Sequence, residues 1–402
     1  MANGADIVVI GGGVVGTSVA FHLAQRRAGR VVLCERRYLA AGATGKSGAL
    51  VRMHYANEPE ARLAVASLPY FQHWTDIVGA GSSGFVTAGM LRFVAAENEA
   101  KLRANVAMLR RLGVNTSVIG RDEVRAIVPS WRTDDVTAAA YEPDSGMADP
   151  VATTHGFAAR AASLGADVRL GTEVRGLRVA SGRVQGVETS QGPISAGTVV
   201  VAGGAWALPL LRSVGAADVL STVRIQVTIF PRPPEHAALH PICIDGANDL
   251  WLRPEGPGFG GTLVGISTRQ DLPDPDALDE GVDGEYVGRA RERLIRRMPF
   301  VAGVPMRGGW AGAITITPDG KPILDRHPEI EGLWYCTGDN GSFFKTAPAG
   351  GAALAEWITD GEPRTAPLRP FRASRFAEGD LLIGEHEYGD RHNEPGRRIM
   401  AG

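Results

Sequence analysis

Residues Asp6–Gly45, DIVVIGGGVVGTSVAFHLAQRRAGRVVLCERRYLAAGATG, decide the fold. Asp6 to Ile10 are mostly β-branched and predict a buried strand. Gly11, Gly13 and Gly16 then fit G-x-G-x-x-G, and Thr17 to Arg27 reads as a helix. A second apolar strand, Val31 to Cys34, ends on Glu35, at about the spacing of 20 residues expected for a ribose-binding acid. Gly11 allows the tight turn, Gly13 lets backbone approach a pyrophosphate, and Gly16 lets helix and strand pack closely. The helix N-terminus offers N–H groups to phosphate, and the Glu35 carboxylate can accept a ribose hydroxyl. A lone glycine fingerprint is weak; set between two strands and followed by this acid, it reads as a dinucleotide site.

Outward from that stretch, 402 residues suffice for a large core and two domains. A net charge of −2 gives no electrostatic case for nucleic acid or an anionic membrane. No apolar run approaches the roughly 20 residues that span a bilayer. The N-terminus lacks a basic leader region, and its apolar run belongs to the first strand. Cys34, Cys243 and Cys336 are too few and scattered for a disulfide framework or a zinc site, so a cytoplasmic, reduced protein without a metal is expected.

The periodicity predicts helices over 58–74 (interrupted by Pro69), 97–112, 121–128, 151–164 and 286–298, and from about Ala347 to Gly361. Val199 to Ala202, in VVVAGGAW, reads as a parallel-type strand running into Gly203 and Gly204. From Thr222 the texture turns antiparallel, with VRIQVTIF, PICID, DLWLRPE and TLVGIS between Gly and Pro turns. Asp271 to Asp283 is acidic without EF-hand spacing, which favours a solvated loop over a calcium site. Arg375 to Gly402 has little periodicity and reads as a tail or a partner-covering arm.

Five ordered segments resemble flavin-dependent amine oxidoreductases of the D-amino-acid oxidase superfamily, in the sarcosine oxidase branch (monomeric, or the β subunit of the heteromeric form). They are IGGGVVG with Glu35, TGKSGALVRMHY, VVVAGGAW, WAGAITITPDGKPI and TGDNGSFFKTAP. The resemblance implies an α/β fold: a discontinuous Rossmann-type FAD-binding domain (1–84, 145–222, 318–374) with an inserted α+β substrate domain built on an antiparallel sheet (85–144, 223–317), then a tail (375–402). It implies FAD held by Gly11, Gly13, Val14, Val15, Gly16, Glu35 and Arg36 at the ADP half, with Val174, Ala202, Gly203 and Trp206 nearby. Thr44, Gly45, Lys46 and Ser47 would follow the pyrophosphate and ribityl chain, and Gly338, Asp339, Gly341, Phe344 and Lys345 the flavin end. Only one dinucleotide fingerprint is present, which favours FAD over NAD.

The implied chemistry moves a hydride from the carbon beside an amine to the flavin, so the protein mainly orients its substrate. Arg52 in ALVRMHY and Lys345 in GSFFKTAP stand where the branch fixes a substrate carboxylate. His54 and Tyr55 follow Arg52 in positions open to facing the flavin or substrate, with a satisfied core histidine as the alternative for His54, and Trp310 and Trp251 lie on strands expected to border the pocket, with Trp310 favoured. Gly312 stands where monomeric sarcosine oxidases carry their flavin-linking cysteine, so non-covalent FAD is expected. Leu263 stands where they carry a lysine that promotes oxygen reaction, which leaves open oxygen or an electron-accepting partner. The expected substrate is a secondary or N-methyl amino acid. The alternatives are a primary-amine or D-amino-acid oxidoreductase, or a catalytically silent flavin subunit; a partner subunit or a homodimer is compatible with either.

Overall fold

The structure, a computed structural model, describes residues 4–216, 218–255, 258 and 260–388. Its first sheet has the order Ile323–Arg326, Leu333–Thr337, Thr198–Val201, Ile7–Ile10, Val31–Cys34, Asp167–Arg169. All neighbours are parallel except the first pair. Both faces are covered, which explains the unbroken apolar runs: Val9, Val31 and Leu33 enter one core with Phe21, Phe157 and Leu354, while Val8, Val32 and Val199 enter another with Leu208 and Leu211.

The first face is covered by the helices Val14–Gln25, Pro150–Ser163 and Phe343–Asp360. Asp149 caps the second of these, accepting from the Val151 and Ala152 amides at 2.9 Å each, with Pro150 at its start. Ser18 donates to the Ala347 carbonyl at 2.9 Å, and Gly351 lets the Phe343–Asp360 helix sit against it. That helix begins four residues earlier than the sequence suggests. Pro348 sits inside it, where its missing N–H forgoes one bond to the preceding turn.

The second sheet has nine strands; Ser221–Pro231, near one edge, pairs with Gly308–Ile316 from Ser221 to Ile229 and with Gly261–Gly265 on its other side. Leu250–Glu255, Ile242–Asp245, Met90–Phe93, Ala138–Glu142 and Ser117–Gly120 continue it, with one parallel pair, Ile242–Asp245 beside Met90–Phe93. The Gly284–Arg297 helix packs on this sheet through Tyr286, Ala290 and Leu294. No helix among the described residues is long and apolar enough to cross a membrane.

The segment from Arg375 departs from the expected tail. Arg375 is fully buried and pairs with Asp319 at 2.7 Å, and the chain then runs across the molecule to Tyr388, also buried. Residues 389–402 lie outside the described part. Sequence periodicity missed this strap because irregular backbone held by side chains carries no repeat.

Candidate active site

Register sets the site at the carboxyl edge of the parallel sheet. Ile10 faces both Cys34 and Val201, so Gly11, Glu35 and Ala202 emerge side by side. Gly11 has φ +109°, and a Cβ there would meet the Ala202 carbonyl oxygen at 2.6 Å. Gly16 seats the helix on this turn, since its Cβ would lie 2.0 Å from the Gly11 carbonyl oxygen. The helix starts at Gly13 without a side-chain cap, and Thr44 Oγ1 accepts from the Val14 amide at 3.1 Å. Glu35 is held by the Gly12 and Arg37 amides, each at 2.7 Å, at the cavity edge.

A cavity of about 250 Å³ opens from here. Its lining includes Gly11, Gly13, Val14, Val15, Glu35, Arg36, Val174, Ala202, Gly203 and Trp206, then Thr44, Lys46, Ser47 and Gly312. It continues to Arg52, Trp251, Asp339, Gly341, Phe344 and Lys345. The donor set fits a dinucleotide cofactor: open amides at a helix start, a turn that admits no Cβ, and a fixed carboxylate.

The loop after the Leu333–Thr337 strand is locked by two threonines of Gly308–Ile316 and its extension. Thr315 Oγ1 accepts from the Gly338 and Asp339 amides at 3.0 and 3.2 Å, and Asn340 Nδ2 donates to Thr317 Oγ1 at 3.1 Å. Thus the T-I-T run and the T-G-D-N-G run are one piece. Burial pushes the Asp339 carboxyl up to about 7.

The cavity is also lined by two cations, Arg52 and Lys345. Arg52 leaves the short Leu50–Val51 strand and Lys345 sits in the first turn of the Phe343–Asp360 helix; both are buried. They converge on one ring: the Arg52 guanidinium lies 4.8 Å and the Lys345 ammonium 5.5 Å from the centre of Tyr55. Arg52 donates to the His54 carbonyl, and Lys345 to the Ser342 carbonyl at 3.3 Å. Burial, reinforced by Arg52, pushes the Lys345 ammonium well below its ordinary range, and burial also lowers Arg52. An arriving carboxylate would relieve both penalties.

Several expectations sort differently. Trp251 lines the cavity while Trp310 does not; the Trp310 indole donates to the Lys46 carbonyl at 2.8 Å and packs in the sheet. His54 is absent from the main cavity and lines a smaller one behind Arg52, where its Nε2 meets the Tyr388 hydroxyl at 2.7 Å. Gly16, Gly45 and Gly338 shape the backbone without lining the cavity: added Cβ atoms would meet Gly11 O, Ala40 O at 2.5 Å and Thr317 Cγ2 at 2.5 Å. Leu263 is fully buried among Val227, Ile244 and Trp251, behind the lining. Gly312 is on the lining, and its Cβ would meet Lys46 Cβ at 2.9 Å.

The acidic segment 271–283 is not simply solvated. Asp276 accepts from Arg36 at 2.5 Å and from the Trp206 indole at 2.8 Å, and Glu280 from Lys46 at 2.5 Å, so it lies along the cavity rim. Acidic spacing alone could not show this, because its partners lie far away in sequence. Tyr388 was missed for the same reason.

An elongated dinucleotide cleft ending in a buried cationic pocket defines a cofactor-dependent enzyme site. The family model "FAD dependent oxidoreductase" matches residues 6–357, and the chain belongs to this family. It is an FAD-dependent oxidoreductase. The chain is 27% identical to human mitochondrial sarcosine dehydrogenase over 369 residues, which is 89% of this chain and 40% of that protein. It therefore spans well under half the length of that relative. It is 25% identical to the sarcosine oxidase subunit beta of Rhodobacter capsulatus, covering 94% of this chain and 90% of the subunit. The crystal structure of L-proline dehydrogenase from P. horikoshii superposes with a TM-score of 0.87 at 28% identity, covering 95% of this chain and all of that one.

Proposed function

We propose that the chain oxidises the C–N bond of a secondary or N-methyl amino acid, of sarcosine or proline type, to an imine that water then hydrolyses. The observation that carries this reading is that Arg52 and Lys345 both line the dinucleotide cavity and both lie over the ring of Tyr55, which lines the smaller chamber beside it. When bound, FAD supplies the acceptor for the hydrogen and electron pair of the C–H bond beside the amine. Arg52 offers a planar fork to the substrate carboxylate, and Lys345 adds a second charge near the same Tyr55 ring. Fixing the carboxylate at these two points limits how the α-carbon can lie. Trp251 and Leu50, on the lining, offer apolar surface to the N-alkyl group and exclude water. The amine proton leaves to solvent as the imine forms. The names of the similar sarcosine and proline enzymes support this substrate class.

A covalent anchor for the flavin is not needed. Gly312 has no side chain to offer, so Glu35, the Val14–Gln25 helix start and the Gly338–Gly341 loop would hold FAD without a bond. Similarity to one subunit of a heteromeric oxidase supports a partner subunit as electron acceptor.

The test is anaerobic titration of the purified holoprotein with sarcosine, proline and other N-alkyl amino acids while the flavin spectrum is recorded. Bleaching by at least one is expected. Arg52→Met is expected to keep FAD and to weaken substrate affinity by tenfold or more, the scale of a lost charged hydrogen bond, about 1.5–3 kcal/mol. Unchanged affinity in that variant would refute the clamp.

A further inference from the structure

Behind Arg52 lies a chamber part of whose wall comes from neither sheet. Arg52 and Ile244 line both the main cavity and this smaller chamber, whose other lining includes His54, Arg92, Glu387 and Tyr388. Glu387 and Tyr388 belong to the strap that begins at Arg375. We propose that this strap completes the substrate site, with Tyr388 as a positioning residue that holds Arg52 through His54, so that the last described residues of the chain help to set affinity for the substrate carboxylate. The inference rests on the functional reading above.

The contacts form a continuous line. The Tyr388 hydroxyl meets His54 Nε2 at 2.7 Å, and the two rings stack with centres 6.0 Å apart and planes 15° apart. The next link is the His54 carbonyl, which accepts from the Arg52 guanidinium. Tyr388 is further fixed by the Arg92 guanidinium, 4.7 Å from its ring centre. Arg52 reaches into the main cavity as a long side chain with several rotamers, so whatever pins its base and its carbonyl partner narrows where its fork points.

The strap is also anchored along its length, which makes it a built wall rather than a chance contact. Leu382 N donates to Asp319 Oδ2 at 3.1 Å, and Asn105 Nδ2 donates to the His386 carbonyl at 3.0 Å. Lys321 bridges Glu60 at 2.9 Å and Glu387 at 3.5 Å, all three largely buried. Gly384 runs so close to Ala56 that a Cβ would lie 2.1 Å from the Ala56 carbonyl oxygen. Ala56 directly follows Tyr55, the ring over which both cations lie. A side chain at 384 must therefore lift the strap from the very segment that carries Arg52, His54 and Tyr55.

Three variants of the FAD-loaded protein test this: Gly384→Val, Tyr388→Phe and a chain ending at Asp380. The readout is the dissociation constant of pyrrole-2-carboxylate, a carboxylate that cannot be oxidised in the same way, from its perturbation of the flavin spectrum, alongside FAD content and the unfolding midpoint. The truncation and Gly384→Val are expected to weaken binding tenfold or more at wild-type FAD content. Tyr388→Phe, which keeps the ring and loses the hydroxyl, is expected to weaken it about threefold. A purely structural strap would instead lower the unfolding midpoint while leaving the dissociation constant as in wild type, and that result overturns the inference; Tyr388→Phe and Gly384→Val decide should the truncated chain fail to fold. Wild type that binds the carboxylate but is reduced by no amine refutes the functional reading and leaves the strap comparison valid. Wild type that does not bind it refutes the carboxylate pocket and the strap's role together.

Discussion

At the scale of single residues, the proposed carboxylate clamp turns on the charge of Lys345. Burial and the neighbouring Arg52 hold its ammonium well below the ordinary lysine range in the free protein. A bound carboxylate favours the charged form and raises the same group. Between those two values, binding takes up one proton, so affinity must fall as pH rises, by up to tenfold per pH unit. Titrating pyrrole-2-carboxylate at pH values below the ordinary lysine range of about 10.4 should show this slope, and Lys345→Met should flatten it. A flat wild-type profile would mean that Lys345 keeps one protonation state throughout. Arg52 and Lys345 stand out in the sequence because each sits in a short run whose neighbours repeat a known pattern, and the structure puts both on the cavity lining. The ring they both lie over was only half legible. A tyrosine beside a histidine reads equally well as core, and only the fold shows both cations over Tyr55.

At the scale of elements, the Phe343–Asp360 helix presents Lys345 and Phe344 to the cavity, so its seating on the Val14–Gln25 helix matters to the site. Gly351 is the contact. A Cβ there would lie 2.3 Å from Ser18 Oγ and 3.0 Å from the Ser18 carbonyl carbon, and Ser18 Oγ is already committed to Ala347. Helix propensity alone says that Gly351→Ala should stabilise by about 1 kcal/mol. Overpacking of a close contact costs about 1–3 kcal/mol and displaces the hydrogen bond as well, so the net sign should be destabilising. A lower unfolding midpoint and weaker FAD retention are expected; a midpoint above wild type would show that the two helices have room to part. The existence of these helices was readable from apolar spacing, whereas the start of this one was not. Pro348 and the Gly350–Gly351 pair look like a boundary, and only the covering helix explains why the chain tolerates them inside. The Thr315 and Thr317 lock was hidden for a related reason: a strand's alternation shows which face a threonine takes, but not which loop it holds.

At the scale of the whole molecule, the change from parallel to antiparallel texture near Thr222 marked the two sheets from sequence, because buried parallel strands are apolar throughout and the others are punctuated by turns. How the sheets are joined was not readable, since it depends on contacts between distant segments. The cavity lining draws Gly11, Glu35 and Ala202 from the first sheet's edge and Ile225, Val227, Trp251 and Gly312 from the second. The Arg36–Asp276 and Lys46–Glu280 pairs cross the rim, but exposed pairs contribute only about 0–1 kcal/mol each. Held along this cavity as proposed, FAD would be the stronger cross-link. Free FAD at about 100 times its dissociation constant adds about 2.7 kcal/mol to the folded state. Because the groove spans both sheets, scanning calorimetry of the FAD-depleted and FAD-saturated protein should show the whole unfolding endotherm move up together. Were FAD held by the parallel sheet alone, the part of the endotherm belonging to the nine-stranded sheet would stay in place while the rest moved, and the two halves would melt apart.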